Sequence, residues 1–321
     1  MADITLLVLG KPDDPVVQRS REVGPGIRVK IAATAAELAP ESATAPVLLN
    51  WLGAAEFHRA LATAPQLEWI HTRHAGVDFA LTPELIARTA LLTNGSGVYS
   101  SALGEFVLAG VLYFAKDLPR MLRAKAEKRW DVFPVRELSR QTLGIVGYGD
   151  IGRAIARRAK AFGMRVLALR RDPTPRSGDE YTDSVVGREA LRSMLSECDY
   201  IVVAAPLTAQ TRHMMGAAEF NAMKPSAVIM NVGRGPVIDE SAMTEALGSH
   251  RIHGAWLDVF EVEPLPADSA LWSMDNVFIS AHTADQTLTW MHESMDFFLV
   301  QFARWRNGEP LENIVDKHQG Y

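Results

Sequence analysis

Residues 142 to 163 carry the pattern that most restricts how this chain can fold. An apolar run, Thr142-Leu-Gly-Ile-Val146, is followed by Gly147-Tyr148-Gly149-Asp150-Ile151-Gly152 and then by apolar positions at helical spacing up to Gly163. The order reads as strand, glycine turn and helix. In that setting Gly147 permits the tight turn, Gly149 lets a pyrophosphate approach the backbone, and Gly152 lets helix and strand pack closely, with phosphate charge meeting the helix N-terminus. Glycines at this spacing also occur in purely structural βα turns, so the flanking strand and helix carry the argument. Tyr148, Gly149, Asp150 and Ile151 are the expected cofactor contacts of the turn.

The other apolar segments extend this unit and add a second one. Strands are expected at 142–146, 165–170, 199–205, 227–232, 252–258 and 276–280, alternating with helical segments, as a doubly wound parallel-sheet Rossmann domain for a dinucleotide requires. Before them, strands near 4–9, 47–51, 67–72 and 90–93 alternate with Ala-rich helical stretches such as Ala54 to Ala64. These suggest a smaller, flavodoxin-like α/β domain. Residues 103 to 130 read as one or two long helices. Residues 284 to 306 return to helical periodicity, with Leu288, Met291, Met295, Phe298 and Phe302 on one face, which suits a helix crossing back to the first domain. The expected organisation is a discontinuous substrate domain (1–98 and 285–321) and an NAD(P)-binding domain (99–284), and 321 residues suffice for two cores. Asp172 to Asp183, with two prolines and a glycine, is the most loop-like stretch.

Composition narrows the function classes. A hydrophobic content of 48% with 22% charged residues fits a soluble globular enzyme, and a formal charge of −5 argues against a nucleic-acid partner. The single cysteine, Cys198, excludes an intrachain disulfide and a thiolate metal cluster, so no metal is expected and a reducing, cytoplasmic setting is. It stands before an apolar strand, where a buried structural role is expected. Ile4 to Leu9 is too short for a secretory core, and Asp3 stands where a signal peptide wants positive charge. The longest apolar run, Phe106 to Ala115, falls far short of a membrane span.

Two arginines bear on the cofactor. The strand at 165–170 ends where a fold with NAD preference presents Asp or Glu to the ribose hydroxyls, yet Arg170 and Arg171 stand there. Guanidinium groups bind a 2′-phosphate bidentately, so NADP(H) is the expected cofactor with NAD(H) still usable. Asp172, next in line, weakens that reading, and a merely solvated strand end is its alternative.

Downstream strand ends carry residues suited to hydride transfer onto a 2-oxo acid. That reaction needs a positive group for the carboxylate and carbonyl, and an acid for the developing alkoxide. Arg234 follows strand 227–232 and His282 follows strand 276–280, so both fall at carboxyl ends of parallel strands, where α/β proteins bind ligands. Glu263 lies beyond strand 252–258. Bonded to the imidazole, it would fix the tautomer and raise the pKa. Taken singly, Arg234 is also compatible with a structural arginine, His282 with a satisfied loop histidine and Glu263 with a turn.

The strings Ala205-Pro-Leu-Thr208, Thr211, Met223-Lys-Pro, Asn231-Val-Gly-Arg-Gly235, Leu257-Asp-Val-Phe260, Glu263-Pro-Leu-Pro266, Leu271-Trp272 and Ser280-Ala-His282 together resemble the D-isomer-specific 2-hydroxyacid dehydrogenase family, over roughly residues 70 to 290. The resemblance implies that Arg234 binds substrate, His282 is the acid/base and Glu263 pairs with it. It also implies Asp258 near the nicotinamide carboxamide, Pro206 near the adenosine, and Ala205, Thr211, Val232 and Gly233 along the cofactor. His74-Ala-Gly-Val-Asp78 resembles the family's substrate loop, implying that the amides of Ala75, Gly76 and Val77 grip the carboxylate.

Trp51, Tyr99 and Trp290 are candidates for the substrate pocket, with core packing as their alternative. The expected reaction reduces a small 2-oxo acid such as glyoxylate or hydroxypyruvate. A phosphorylated hydroxy acid like 3-phosphoglycerate is the nearest rival, for which Arg73 is a single basic candidate; a non-catalytic, dinucleotide-sensing corepressor-like protein is the rival from another class. The resemblance further implies a homodimer through a helical arm at 105–140, where Arg120, Trp130 and Phe133 are candidates to pack across the interface.

Overall fold

Two all-parallel sheets account for the apolar runs. The computed structural model describes residues 4–174 and 179–321, so Asp3 and residues 175–178 of the Asp172–Asp183 stretch lie outside the described residues. The chain divides into one unit of Met1–Tyr99 with Thr287–Tyr321 and another of Ser100–Gln286.

In the first unit β1 (Ile4–Leu9), β2 (Ile27–Ala32), β3 (Val47–Asn50), β4 (Trp69–Thr72) and β5 (Leu91–Thr93) lie in the order β2-β1-β3-β4-β5. This is the flavodoxin-like order, with its switch point between β1 and β3. Side chains alternate between two core layers: Leu7, Leu9, Leu48 and Ile70 enter one, Leu6, Val8, Leu49 and Trp69 the other. Parallel strands covered on both faces must be apolar almost throughout, and β3 and β4 are buried at every position. The helix Trp290–Arg306 covers the second layer through Met295, Phe298 and Phe302, each fully buried. Phe298 stacks on Trp69 with 5.7 Å between ring centroids.

The second unit holds β6 (Thr142–Val146), β7 (Arg165–Leu169), β8 (Ser184–Val186), β9 (Tyr200–Val203), β10 (Val228–Asn231), β11 (Gly254–Leu257) and β12 (Val277–Ile279). Their order, β12-β11-β10-β9-β6-β7-β8, is the Rossmann order extended by one strand, with its switch point between β6 and β9. The α/β, doubly wound fold expected from the sequence is the fold observed. Cys198 is buried, and burial pushes its thiol up to about 12. Among the described residues no helix is long and apolar enough to cross a membrane.

Three expectations need correction. Seven strands, not six, form the second sheet, and β2 was missed in the first. β8 is three residues long and β2 interleaves Arg28 and Lys30 with its apolar residues, so both edge strands lack a continuous apolar signal. Helix does not begin at 284 but at Trp290, and Leu288 is fully exposed rather than on the apolar face. The backbone N–H groups of Thr283 and Ala284 are held by the Asp258 carboxylate at 2.9 and 3.1 Å, and the Thr283 carbonyl accepts the Gln286 N–H at 3.0 Å in a turn ahead of the helix. The 103–130 stretch, expected as one or two helices, is two, Ser100–Ala115 and Leu118–Ala126, separated where Asp117 adopts φ 49° and caps the second through Arg120 N–H at 3.2 Å.

The stacked layer under β4 yields a test. Phe298→Ala is expected to destabilise its unit by about 3–5 kcal/mol. A denaturant titration measures this, and a loss under about 1 kcal/mol would remove Phe298 as the anchor of that layer.

Candidate active site

The glycine turn sits at the carboxyl end of β6, beside the end of β9, where the second sheet reverses its winding. Its three glycines answer to different demands. Gly147 has φ +102°, and a Cβ there would stand 2.5 Å from the Ala205 nitrogen; one on Gly152 would stand 2.5 Å from the Gly147 oxygen. Packing within the protein requires both. A Cβ on Gly149 would meet nothing within 4 Å. Gly149 is the N-cap of the helix Asp150–Ala161 and offers it no side-chain cap. Backbone donors with no side chain set before them suit a pyrophosphate, which a helix N-terminus attracts.

The three proposed reacting side chains follow β10, β11 and β12. Arg234 is half-buried; the Asn231 amide donates to its carbonyl at 3.1 Å while Asn231 Oδ1 accepts the Gly233 N–H at 3.0 Å. His282 Nδ1 lies 2.8 Å from Glu263 Oε2, and Glu263 Oε1 accepts the Phe260 N–H at 3.0 Å. His282 has φ +54°, a left-handed backbone that few residues other than glycine adopt. Its N–H donates to the Asp258 carbonyl at 2.9 Å. The carboxylate of Asp258, 2% exposed, accepts the Ser280 hydroxyl at 2.6 Å as well as the N–H groups of Thr283 and Ala284. One buried residue therefore fixes the backbone on both sides of the imidazole.

The electrostatics follow from these contacts. The hydrogen bond to Glu263 raises the His282 pKa above its ordinary 6.5, aided by the Glu263 and Asp258 charges and opposed by burial and the charge of Arg234. For Glu263, burial pushes the carboxyl up, but the His282 and Phe260 hydrogen bonds and the nearby positive charges outweigh it and hold the group below its ordinary range.

Residues 108–284 match the family model described as D-isomer specific 2-hydroxyacid dehydrogenase, NAD binding domain. The chain is 35% identical over 267 residues to a glyoxylate reductase of Korarchaeum cryptofilum, covering 79% of this chain and 77% of that one. It belongs to the D-isomer-specific 2-hydroxyacid dehydrogenase family. The chain is therefore an NAD(P)-dependent oxidoreductase acting on the CH–OH group of 2-hydroxy acids. Among solved structures, it is similar to a D-isomer specific 2-hydroxyacid dehydrogenase from Xanthobacter autotrophicus Py2 in complex with NADPH and MES, at 32% identity, with all of both chains covered and a TM-score of 0.83. It is also similar to an NADPH-dependent glyoxylate/hydroxypyruvate reductase from Sinorhizobium meliloti in complex with NADP and sulfate, at 27% identity, with 99% and 100% of the two chains covered and a TM-score of 0.87.

Further members of the expected dehydrogenase site gather around the β6/β9 switch point. Ala205 is packed against Gly147, and the Val232 N–H donates to the Val203 carbonyl at 3.0 Å. Thr211 accepts the Thr208 N–H at 2.8 Å and donates to the Pro206 carbonyl at 2.7 Å, which stiffens the loop after β9. The Tyr148 ring is buried, and its hydroxyl donates to Asp179 at 2.7 Å, tying the glycine turn to the segment after β7. Arg170 donates to the carbonyls of Asp172 and Thr174. Asp172 accepts from the Thr174 N–H at 3.0 Å and its hydroxyl at 2.6 Å, so the carboxylate that weakened the NADP reading is engaged with its own turn.

In the other unit Trp51 and Tyr99 are buried, as is Val77, while Ala75 and Gly76 are half-buried. The carbonyls of Arg73, His74 and Ala75 accept hydrogen bonds from Tyr99 at 2.5 Å, Gly95 at 3.0 Å and Asn94 at 2.7 Å, which holds the 74–78 loop by its carbonyl side.

Sequence reasoning did not foresee the bracing by Asp258, Asn231 and Ser280, although all three stand in the quoted strings. Nor did it single out His213, whose Nε2 meets Glu261, two residues before Glu263. The string shows residue types; it does not show which donor meets which acceptor across strand ends.

The His282–Glu263 pair predicts a pH dependence. A raised folded-state pKa means that His282 adds stability below 6.5, which is lost as pH rises through the folded value. With His282 as the acid of reduction, kcat/KM for reduction falls above that raised value. Glu263→Gln is expected to move this alkaline limb down towards 6.5. A pH–rate profile unchanged by the substitution would show that Glu263 does not set the acid.

Proposed function

We propose that this dehydrogenase reduces a small 2-oxo acid such as glyoxylate or hydroxypyruvate, with NADPH as the preferred hydride source and NADH a usable one. The observation that carries the reading is the imidazole of His282 bonded to Glu263 beside the charge of Arg234. The names of the relatives support the substrate class, and the complexes of the similar structures support the cofactor.

Gly149, Asp150 and Ile151 would hold the pyrophosphate, Pro206 and Thr211 the adenosine side, Arg170 and Arg171 the 2′-phosphate, and Val232, Gly233 and Asp258 the nicotinamide side. When bound, the nicotinamide supplies the hydride. Arg234 polarises the carbonyl and holds the carboxylate, lowering the cost of the charge that develops on the oxygen. His282 gives its Nε2 proton to that oxygen, while Glu263 keeps Nδ1 protonated and the ring oriented. The amides of Ala75, Gly76 and Val77 are further proposed donors to the substrate carboxylate, with Trp51 and Tyr99 as its apolar surround. A cytoplasmic setting is proposed with this chemistry.

A homodimer is also proposed, carried by the arm. Trp130 is 94% and Val132 83% exposed, large apolar surfaces that a partner copy would cover. Arg120, a further candidate for that interface, pairs through its guanidinium with Asp131 at 2.6 Å and lies 4.2 Å over the Phe133 ring within the same chain.

Initial rates with NADPH and NADH test the activity. His282→Ala is expected to lower kcat for glyoxylate by roughly 10²–10⁴-fold. Replacing Arg170 and Arg171 together by alanine is expected to raise KM for NADPH by about 10–100-fold while sparing NADH, the cost of one or two charge-assisted hydrogen bonds. Near-normal turnover in a folded His282→Ala protein would sink the assignment; equal effects on both cofactors would sink only the 2′-phosphate reading. Trp130→Glu is expected to convert the dimer to monomer in light scattering, and an unchanged mass would exclude the arm as the interface.

A further inference from the structure

Arg73, to which the proposed reaction gives no role, is held in place by several neighbours. It follows β4, and its Nε donates to the Trp51 carbonyl at 2.9 Å. Its guanidinium carbon lies 5.8 Å from the centroid of the Trp51 ring and 5.0 Å from that of Trp290. The cation thus lies within cation–π reach of two indoles, an arrangement that favours arginine over lysine. The backbone is fixed as well: Tyr99 donates to the Arg73 carbonyl at 2.5 Å, and its oxygen lies 3.2 Å from the Ser294 hydroxyl. A side chain on Gly95 would overlap that same carbonyl. These neighbours also include an unmet donor, because the indole N–H of Trp51, buried to 4% exposure, has no hydrogen-bond partner.

Such construction exceeds what a solvated loop arginine needs. Trp51 follows β3, one of the two strands that flank the switch point of the first sheet, where open α/β sheets gather ligands. We propose that Arg73 is the specificity-determining residue of this dehydrogenase and pairs with a second carboxylate on the substrate, so that the favoured substrate is a short 2-oxo dicarboxylic acid.

The class follows from chemistry. Nε fixes the plane of the guanidinium, and the four terminal N–H groups match the two oxygens of a planar carboxylate; a ligand engages them by exchanging with what they contact in its absence. The fork matches a planar carboxylate monoanion, whereas a phosphate dianion calls for more positive charge than one arginine. The chain is short as well, because Arg73 stands only two residues before Ala75, the first proposed donor to the other carboxylate. This inference rests on the reductase reading for its substrate.

The experiment has two arms on wild type, Arg73→Met and Arg73→Lys. Reduction rates with NADPH are measured for glyoxylate, hydroxypyruvate, phosphohydroxypyruvate and oxaloacetate. Binding of D-malate and of D-lactate to the NADPH-loaded enzyme is followed by tryptophan fluorescence. Wild type is expected to prefer oxaloacetate. The ratio of its kcat/KM to that of glyoxylate should fall by roughly 30–100-fold in Arg73→Met, mainly through KM, with partial recovery in Arg73→Lys. D-malate should bind more tightly than D-lactate in wild type, and that difference should vanish in Arg73→Met.

Equal losses for all oxo acids would make Arg73 a structural brace and overturn the inference. So would a preference for the phosphorylated acid, or diacid binding indifferent to the substitution. Reduction of glyoxylate without any diacid preference would overturn the inference while leaving the reductase reading intact. Arg73-dependent D-malate binding without turnover of any oxo acid would uphold the carboxylate pairing and overturn the reductase reading instead.

Discussion

The chemistry available to the second unit depends on the buried carboxylate of Asp258. A histidine placed after a strand end by a left-handed backbone has no reason to keep one orientation, since the φ of His282 is one that most residues avoid. Asp258 over-determines it: the carbonyl takes the His282 N–H, and the side chain takes the N–H groups of the next two residues and the hydroxyl of Ser280. Four donors from one short segment converge on one residue at the end of β11. The imidazole is therefore delivered to Glu263 by backbone geometry before their mutual attraction adds anything.

That clamp also marks where the sequence could be read and where it could not. The β6 strand, its glycine turn and the following helix were legible because each has a local signature: a short apolar run, glycines at fixed spacing, and apolar residues every third or fourth position. Arg234, Glu263 and His282 were legible as a set because strand ends can be counted along the chain and parallel strands put their carboxyl ends on one edge. β2 and β8 were not, because an edge strand needs only one buried side and loses the continuous apolar run. The expected helical face through Leu288 failed for another reason. Periodicity reports what a segment would bury if it were helical, and it carries no information about whether anything is there to bury it, as the fully exposed Leu288 shows. Arg73 was visible as a charge, but the indoles that flank it come from residues 51 and 290, and no spacing in the chain predicts that meeting.

The charges near His282 oppose one another in a useful way. Glu263 favours the imidazolium, and Arg234 and burial disfavour it. An imidazole paired only with a carboxylate would hold its proton too tightly to donate it readily, while one facing only a guanidinium would be neutral near neutral pH. Catalysis in both directions needs an acid whose pKa lies near the working pH, and opposed neighbours are a direct way to set it there. The carboxylate contributes a second restraint that charge alone would not supply: by accepting from Nδ1 it leaves Nε2 as the nitrogen for the proposed proton exchange.

The three glycines of the turn separate what the fold needs from what the ligand needs. Side chains at 147 or 152 would collide with the protein itself, so glycine there is explained without any cofactor. At 149 the protein imposes no such limit, and the backbone is extended at φ −96° and ψ −153°, a conformation that any residue adopts. Folding alone would tolerate alanine or favour serine, since a helix start gains from a side-chain cap. The chain instead leaves the helix uncapped and the space before it clear. The space and the uncapped helix start at 149 suit the approach of an anion. Two of the glycines are therefore accounted for by the fold, and the third is the one left open for the proposed pyrophosphate contact.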